Sequence, residues 1–378
     1  MDNPFKKIIG GGLSFLKSSG SDGSVLGIDI GSSSVKVVQL KKKGGKAVLE
    51  TYGALALGPY GELEVGQLTN LPNDALATAI TDVLRESTTT TKDAGVSIPA
   101  SGSLIFVVEI PPQIDEKNFD TVVPTEARKY IPVPVSEVTL DWSVIPKRAE
   151  SFDGVPEESD SGPLAPTKSE VLVAAIHNDT LTRYHDVVKA ADIHASFFEI
   201  EVFSSVRATF NHELSSVMLL DMGASKTKIA IVEHGVIREF HSVNRGSSDI
   251  TSSLAKSLGI PFSKAEELKR QYGLVGNPED KNISEIAMIS VDYILSEVQS
   301  VILNYEKKYN QVISKVILAG GGALLRGFVD VARRNLKCEV VLGNPFGKVE
   351  APAFLEPVLE MTGPEFAVAL GIAMRKLE

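Results

Sequence analysis

An aspartate at the end of an apolar run, followed by one residue, a glycine and then small polar residues, is a combination suited to phosphate. Near the start of the chain it occurs as Gly27-Ile28-Asp29-Ile30-Gly31-Ser32-Ser33-Ser34-Val35-Lys36-Val37. It recurs far along the chain as Leu219-Leu220-Asp221-Met222-Gly223-Ala224-Ser225-Lys226-Thr227-Lys228-Ile229. Asp29 and Asp221 offer carboxylate oxygens that hold the water shell of a divalent cation. Gly31 and Gly223 let the backbone approach a ligand closely. Successive N–H groups over 31–34 and 223–225, with the hydroxyls of Ser32, Ser33, Ser34, Ser225 and Thr227, suit phosphate oxygens. One such turn is an ordinary hairpin; two copies, each leading into another strand, point to a duplicated phosphate-binding device.

A third element is Gly320-Gly321-Gly322, between the apolar run Val316–Ala319 and a helix expected to begin near Ala323. Three glycines let a flat group such as a purine-ribose lie on the backbone, and a helix N-terminus there favours negative charge. The spacing departs from G-x-G-x-x-G and lacks the ribose-binding acid of that motif. Ala265-Glu266-Glu267-Leu268-Lys269-Arg270 places Glu266 and Lys269 at helical spacing, and Glu201 stands in the acidic run Glu199-Ile200-Glu201. Taken alone, these read as a solvated helix face and a helix N-terminal carboxylate.

The elements that must position these residues are legible from period and turn chemistry. Strands are expected over 25–30, 35–40 and 47–57, with Lys41, Lys42, Lys43 and Lys46 at a solvated hairpin tip. A helix carrying Leu76, Ile80, Val83 and Leu84 follows Asn73-Asp74, a candidate N-cap. Strands follow over 94–98 and 104–110. From Pro111 to about Ala190 the pattern reads as a small α+β unit: a helix over 119–129, a Pro-rich break, a strand over 138–145 with Trp142, a mobile Pro/Glu/Ser-rich loop over 147–169, a strand over 171–176 and a helix to 191. The second half repeats the opening with strands over 217–221, 227–233 and 236–242. Helices over 247–258, 263–272 and 284–309, a strand over 315–318 and a final helix over 364–376 complete it.

Composition narrows the function. The 378 residues are 43% hydrophobic and 23% charged, as in globular proteins, and the net charge of −10 argues against a broad nucleic-acid surface. The single cysteine, Cys338, excludes an internal disulfide or a cysteine metal cluster. No unbroken apolar run approaches the roughly 20 residues of a membrane span, so no transmembrane segment is expected. Residues 1–24 read as a flexible tail. Phe5, Ile8, Ile9, Leu13, Phe15 and Leu16, with Lys6, Lys7 and Lys17, form a weak interfacial anchor interrupted by Gly10–Gly12.

The two Asp-x-Gly hairpins and the glycine triplet resemble the superfamily of actin, heat-shock ATPases and sugar kinases. That resemblance implies an α/β, two-lobed actin-like ATPase fold of duplicated RNase H-like domains. It assigns 29–36 and 221–227 as phosphate motifs and 319–323 as the adenosine motif. Glu266 and Lys269 would lie near base and ribose, Glu201 would help place metal or water, and the cofactors would be ATP or ADP with Mg2+. Within the superfamily, Glu126-Ala127-Arg128-Lys129-Tyr130-Ile131-Pro132 and Glu137-Val138-Thr139-Leu140-Asp141-Trp142 resemble the PilM family of type IV pilus assembly, relatives of the cell-division protein FtsA. This likeness implies an FtsA-type inserted subdomain over 105–190. The first lobe core would then span 25–104 with 191–214, the second 215–250 with 314–378, and a helical subdomain 251–313. It further implies a cytoplasmic protein peripheral to the inner membrane, bound to the N-terminal cytoplasmic tail of a PilN-like membrane protein. Homo-oligomers or FtsA-like filaments are the alternative, and a small-molecule kinase is a weaker one. ATP binding with slow or negligible hydrolysis is expected, because no distinct catalytic base stands out.

Overall fold

The structure, a computed structural model, describes residues 23–146, 168–211, 213, 215–277 and 282–377. The expected tail and most of the 147–169 loop lie outside the described residues.

Strands β1 (Ser24–Ile30), β2 (Ser34–Lys43) and β3 (Lys46–Ala56) form an antiparallel meander. The lysine-rich tip is tighter than expected: β2 and β3 run to the turn itself, where Gly44 and Gly45 take φ of +58° and +81°. Two parallel strands complete the sheet, β4 (Asp93–Ile98) beside β1 and β5 (His194–Ile200) beside β4. The second lobe repeats this plan. Its meander is β6 (Val217–Met222), β7 (Thr227–Glu233) and β8 (Val236–Val243), and the parallel additions are β9 (Lys315–Ala319) and β10 (Glu339–Leu342). Both five-stranded sheets therefore share one strand order, so the duplication seen in two short motifs extends to whole sheets.

A third, antiparallel sheet is inserted after β4. Its strands are β11 (Ser103–Ile110), β12 (Val138–Val144) and β13 (Ser169–His177), with β13 central. Helix α1 (Phe119–Ala127) covers it and buries Phe119, whose ring meets Trp142 at 6.1 Å. Buried Arg238 on β8 ties this sheet to the second lobe. It pairs with Glu233 at 2.9 Å and Glu170 at 2.5 Å, and donates to the Pro146 carbonyl at 2.9 Å.

Helix α2 (Asn73–Glu86) starts at Asn73 itself, with Pro72 in the cap position, so the expected Asn–Asp cap is not formed. The lobe boundaries also differ from the sequence reading in two places. Helix α3 (Asn178–Ala190) buries Leu181, Tyr184, Val187 and Val188 in the first lobe's core rather than in the inserted unit. The final helix α4 (Ala367–Leu377) lies on β1, β2 and β4 of the first lobe, not in the second. A Cβ at Gly27 would collide with the Ala369 carbonyl, so glycine there lets the helix sit directly on β1.

Helix α5 (Glu201–Thr209) carries the chain from first lobe to second, and α4 packs beside it after the chain returns. Fully buried Glu199, near the end of β5, receives Arg207 at 2.7 and 2.8 Å and Arg375 of α4 at 2.6 Å. Burial alone would raise the Glu199 carboxyl, but the two guanidiniums and Ser204 outweigh it and hold it below the ordinary carboxylate value.

The second lobe's sheet is covered by α6 (Ser247–Leu258), α7 (Phe262–Tyr272), α8 (Asn282–Tyr309) and α9 (Phe328–Leu336). Among the described residues α8 alone has the length and mean hydropathy of a membrane span. Its Ile283, Ala287, Val291, Ile294, Leu295, Val298 and Tyr305 are buried in the second lobe's core, while Ile289, Tyr293 and Leu303 of the same helix are exposed.

Removing Glu199 leaves two nearly buried cations facing each other. Glu199→Ala is expected to lower stability by about 3–5 kcal/mol, read from the urea midpoint. Because the folded carboxyl is depressed, its stabilisation is complete above pH 4.5 and is lost as pH falls through the lower folded value. Wild type should therefore keep its advantage over Glu199→Gln above pH 4.5 and lose it only as pH falls further, through the depressed folded value.

Candidate functional site

The two Asp-x-Gly turns close in the same way. Gly31 N–H donates to the Ser34 carbonyl at 3.0 Å, and Gly223 N–H to the Lys226 carbonyl at 3.0 Å. Antiparallel register then sets Asp29 opposite Lys36 and Asp221 opposite Lys228. The turns meet across the lobes, with the Ser32 and Ser225 hydroxyls 3.1 Å apart. Between them lies a cleft of about 500 Å³, within the usual range for a small-molecule site.

Asp29 is buried, and its carboxylate accepts from the Ser97 hydroxyl at 2.9 Å. Burial raises the Asp29 carboxyl above its ordinary value, with Lys36 opposing. Lys36 Nζ donates to Ser34 Oγ at 2.8 Å. In the second copy Lys228 Nζ lies 3.3 Å from Asp221 and 2.6 Å from Glu201. Desolvation opposes the Lys228 charge, but Asp221 and Glu201 outweigh it and push the ammonium well above the usual lysine value. The other oxygen of Glu201 accepts from the Ala100 backbone N–H at 2.8 Å. Glu201 is thus the first residue of α5 and a cleft carboxylate at once.

On the opposite wall Gly320 ends β9 with φ +80°, and a Cβ there would collide with Asp221 Oδ1 and the Met222 carbonyl. The glycine triplet therefore lets the third motif abut the second phosphate turn. It does not lead directly into a helix. A 3-10 turn spans Gly321–Leu324, and α9 begins only at Phe328 after Gly327 with φ +83°. The expected helix N-terminus near Ala323 is thereby corrected, because two chain reversals intervene.

Glu266 and Lys269 face the cleft as a pair 2.6 Å apart. Glu266 also accepts from Thr251 at 2.6 Å and from Arg270 at 2.8 Å. Burial works against the Glu266 charge, yet these partners hold its carboxyl below the ordinary value. Burial dominates at Lys269 and lowers its ammonium value.

Gly31, Ser32, Ser33, Ser34, Lys36, Gly223, Ala224, Ser225, Glu266, Lys269, Gly320, Gly321, Gly322, Asp29, Asp221 and Glu201 all line this one cleft. Thr227 does not. It is fully buried, and its hydroxyl donates to the Arg245 carbonyl at 2.8 Å. Side chains alternate along β7, so with Lys228 on the cleft side Thr227 points to the opposite face. Lys228 and Ala100 are cleft residues that the sequence reading passed over. Lys228 had a signal, since it stands seven positions after Asp221 as Lys36 does after Asp29. Ala100 acts through its backbone from a distant loop and carries no side-chain signature.

A family model described as type IV pilus assembly protein PilM matches residues 27–377. The chain belongs to the PilM family. A solved PilM–PilN type IV pilus biogenesis complex contains a chain similar to this one, with TM-score 0.77 and 23% identity over 95% of this chain and 100% of that one. Ethanolamine utilization protein EutJ of Carboxydothermus hydrogenoformans is similar at TM-score 0.52 and 16% identity, over 94% and 91% of the respective chains. Cell division protein FtsA of Streptococcus pneumoniae is 23% identical over 88% of this chain and 78% of its own. This PilM-family chain thus has the two-lobed actin-like fold implied by its motifs, with the cleft between the lobes.

The cleft's donors fit a nucleotide held with a hydrated cation. Among the described residues no cluster of three or more His, Cys, Asp or Glu forms a metal cage. Asp29 and Asp221 are oxygen donors beside backbone turns, the arrangement suited to Mg2+ that keeps its waters and takes phosphate oxygens as ligands. Asp29→Ala should remove most of the thermal shift produced by Mg-ATP; an unchanged shift would count against this placement. Gly320→Ala, strained by positive φ and crowding Asp221, should cost about 1–3 kcal/mol and weaken the same thermal shift.

Proposed function

We propose that this PilM-family protein is an ATP- or ADP-binding scaffold of type IV pilus assembly, holding nucleotide with Mg2+ between its lobes. It works at the cytoplasmic face of the inner membrane and is recruited there by the short cytoplasmic tail of a PilN-like protein. The observation that carries the nucleotide reading is the meeting of both hairpins and the glycine triplet in one cleft. Family membership carries the pilus reading.

Turnover is slow or negligible in this reading. Glu201 is the acid best placed to act on water, and both of its oxygens are engaged, by Ala100 N–H and Lys228. Bound nucleotide instead stabilises the closed body, by about 4 kcal/mol at 1,000 times its dissociation constant. Rapid steady-state phosphate release, abolished by Glu201→Gln, would overturn this part.

The inserted sheet supports partner recruitment. Tyr130 is 54% exposed and stacks on Phe106 of β11 at 5.1 Å, giving an aromatic surface outside the sheet's buried core. Co-purification from membranes should recover a bitopic protein with a short cytosolic tail, and Tyr130→Asp should reduce that recovery at least tenfold. Recovery of soluble metabolic enzymes alone would favour a kinase. A filament reading has its own observation: Phe354 on a 3-10 turn and Val358 and Met361 on the helix that follows, Glu356–Thr362, are exposed large hydrophobics. Nucleotide-dependent sedimentation that Phe354→Asp abolishes would support it.

A further inference from the structure

Lys228 is the cleft residue that the nucleotide reading leaves without a role. It rises from β7 in the second lobe, whereas Glu201 heads α5 on the first lobe's sheet. Their 2.6 Å pair therefore spans the two lobes, deep in the cleft, with Lys228 8% exposed. Other contacts also make this crossing, among them Ser205 Oγ donating to Asp221 at 3.3 Å. The Ser32 and Ser225 hydroxyls meet at 3.1 Å, and at the rim Ser263 N–H donates to Glu64 at 2.8 Å. The Lys228 pair joins opposite full charges inside the cleft, and charge-assisted bonds are roughly twice as strong as neutral ones.

The Glu201 carboxylate is fixed from both sides. Ala100 N–H, from the loop after β4, holds one oxygen at 2.8 Å, and the Lys228 ammonium holds the other at 2.6 Å. Asp221, 3.3 Å from the same ammonium, keeps Lys228 from swinging away. A carboxylate acting as a base towards water needs an oxygen directed at that water. Here each oxygen already accepts from a protein donor, which makes it a weaker base towards water.

We propose that Lys228 is a positioning residue and an interlobe latch: by holding Glu201 it keeps nucleotide enclosed and keeps that carboxylate from activating water. The proposal rests on the nucleotide reading above and names the residue that makes the cleft retentive. It differs from a purely structural ion pair in its consequences. Breaking it should speed nucleotide release and raise turnover, and both effects should pass through Glu201.

The test uses the full chain and a fluorescent ATP analogue with Mg2+, chased with unlabelled ATP. Lys228→Met should release the analogue at least tenfold faster than wild type, whereas Lys228→Arg, which keeps the charge, should stay within about threefold. Glu201→Gln retains size and the Ala100 bond but loses the charge, so it should reproduce the faster release by an independent route. The double variant should be no faster than either single one. Phosphate release should rise in Lys228→Met and fall back when Glu201→Gln is added. Release unchanged in both single variants, or independent multiplicative effects in the double, overturns the latch while leaving nucleotide binding intact. Failure of wild type to bind the analogue overturns the nucleotide reading and the latch with it. Should Lys228→Met not fold, the Glu201→Gln and Lys228→Arg pair decides: wild-type release in Glu201→Gln overturns the proposal.

Discussion

Antiparallel register across two short turns places a lysine opposite an aspartate, once in each lobe, and the rest of the cleft is built around those two pairs. Asp29 with Lys36 and Asp221 with Lys228 bring charge into a space largely shielded from water. Unpaired, any of these groups would carry a desolvation cost of several kcal/mol. Together with Glu201 they form a floor of three carboxylates and two ammonium groups, and the glycines at 31, 223 and 320 keep bulk away from it. The close approach of Gly320 to Asp221 shows how strict this is, because even a methyl group has no room there.

The floor is connected to the body by α5. Glu201 at its first residue faces the cleft, while Arg207, two turns along, binds buried Glu199 together with Arg375 of the final helix. The crossing between lobes and the return to the first lobe are thus locked at one point. Any relative motion of the lobes acts on α5, so what Glu201 touches and how the lobes sit are physically coupled. Arg238 extends the connection outward by joining the inserted sheet's Glu170 and Pro146 to the second lobe.

The two five-stranded sheets flank the cleft, and the third sheet is a separate unit with a core of its own. The cleft is polar and tightly cross-bonded, whereas the inserted sheet has its own apolar core around Phe119, Val123 and Ile131 and leaves Tyr130 outside.

Local rules determined the hairpins, most helices and the position of both aspartates. Turn glycines, strand period and small polar residues act within a few positions of each other, so they are legible one segment at a time. The repeat added long-range information because two identical local devices have few uses apart. What only the tertiary structure decided are the matters set by distant partners. Thr227 turns inward because the Arg245 carbonyl awaits it, and the final helix returns to the first lobe because Gly27 opens a seat on β1. The helix after the glycine triplet is delayed to Phe328 because a 3-10 turn over Gly321–Leu324 and Gly327 in the left-handed region intervene. Glu201 gains its meaning from Lys228, a residue on the other lobe. No local pattern encodes such a meeting, because its free energy belongs to the assembled cleft and not to either segment.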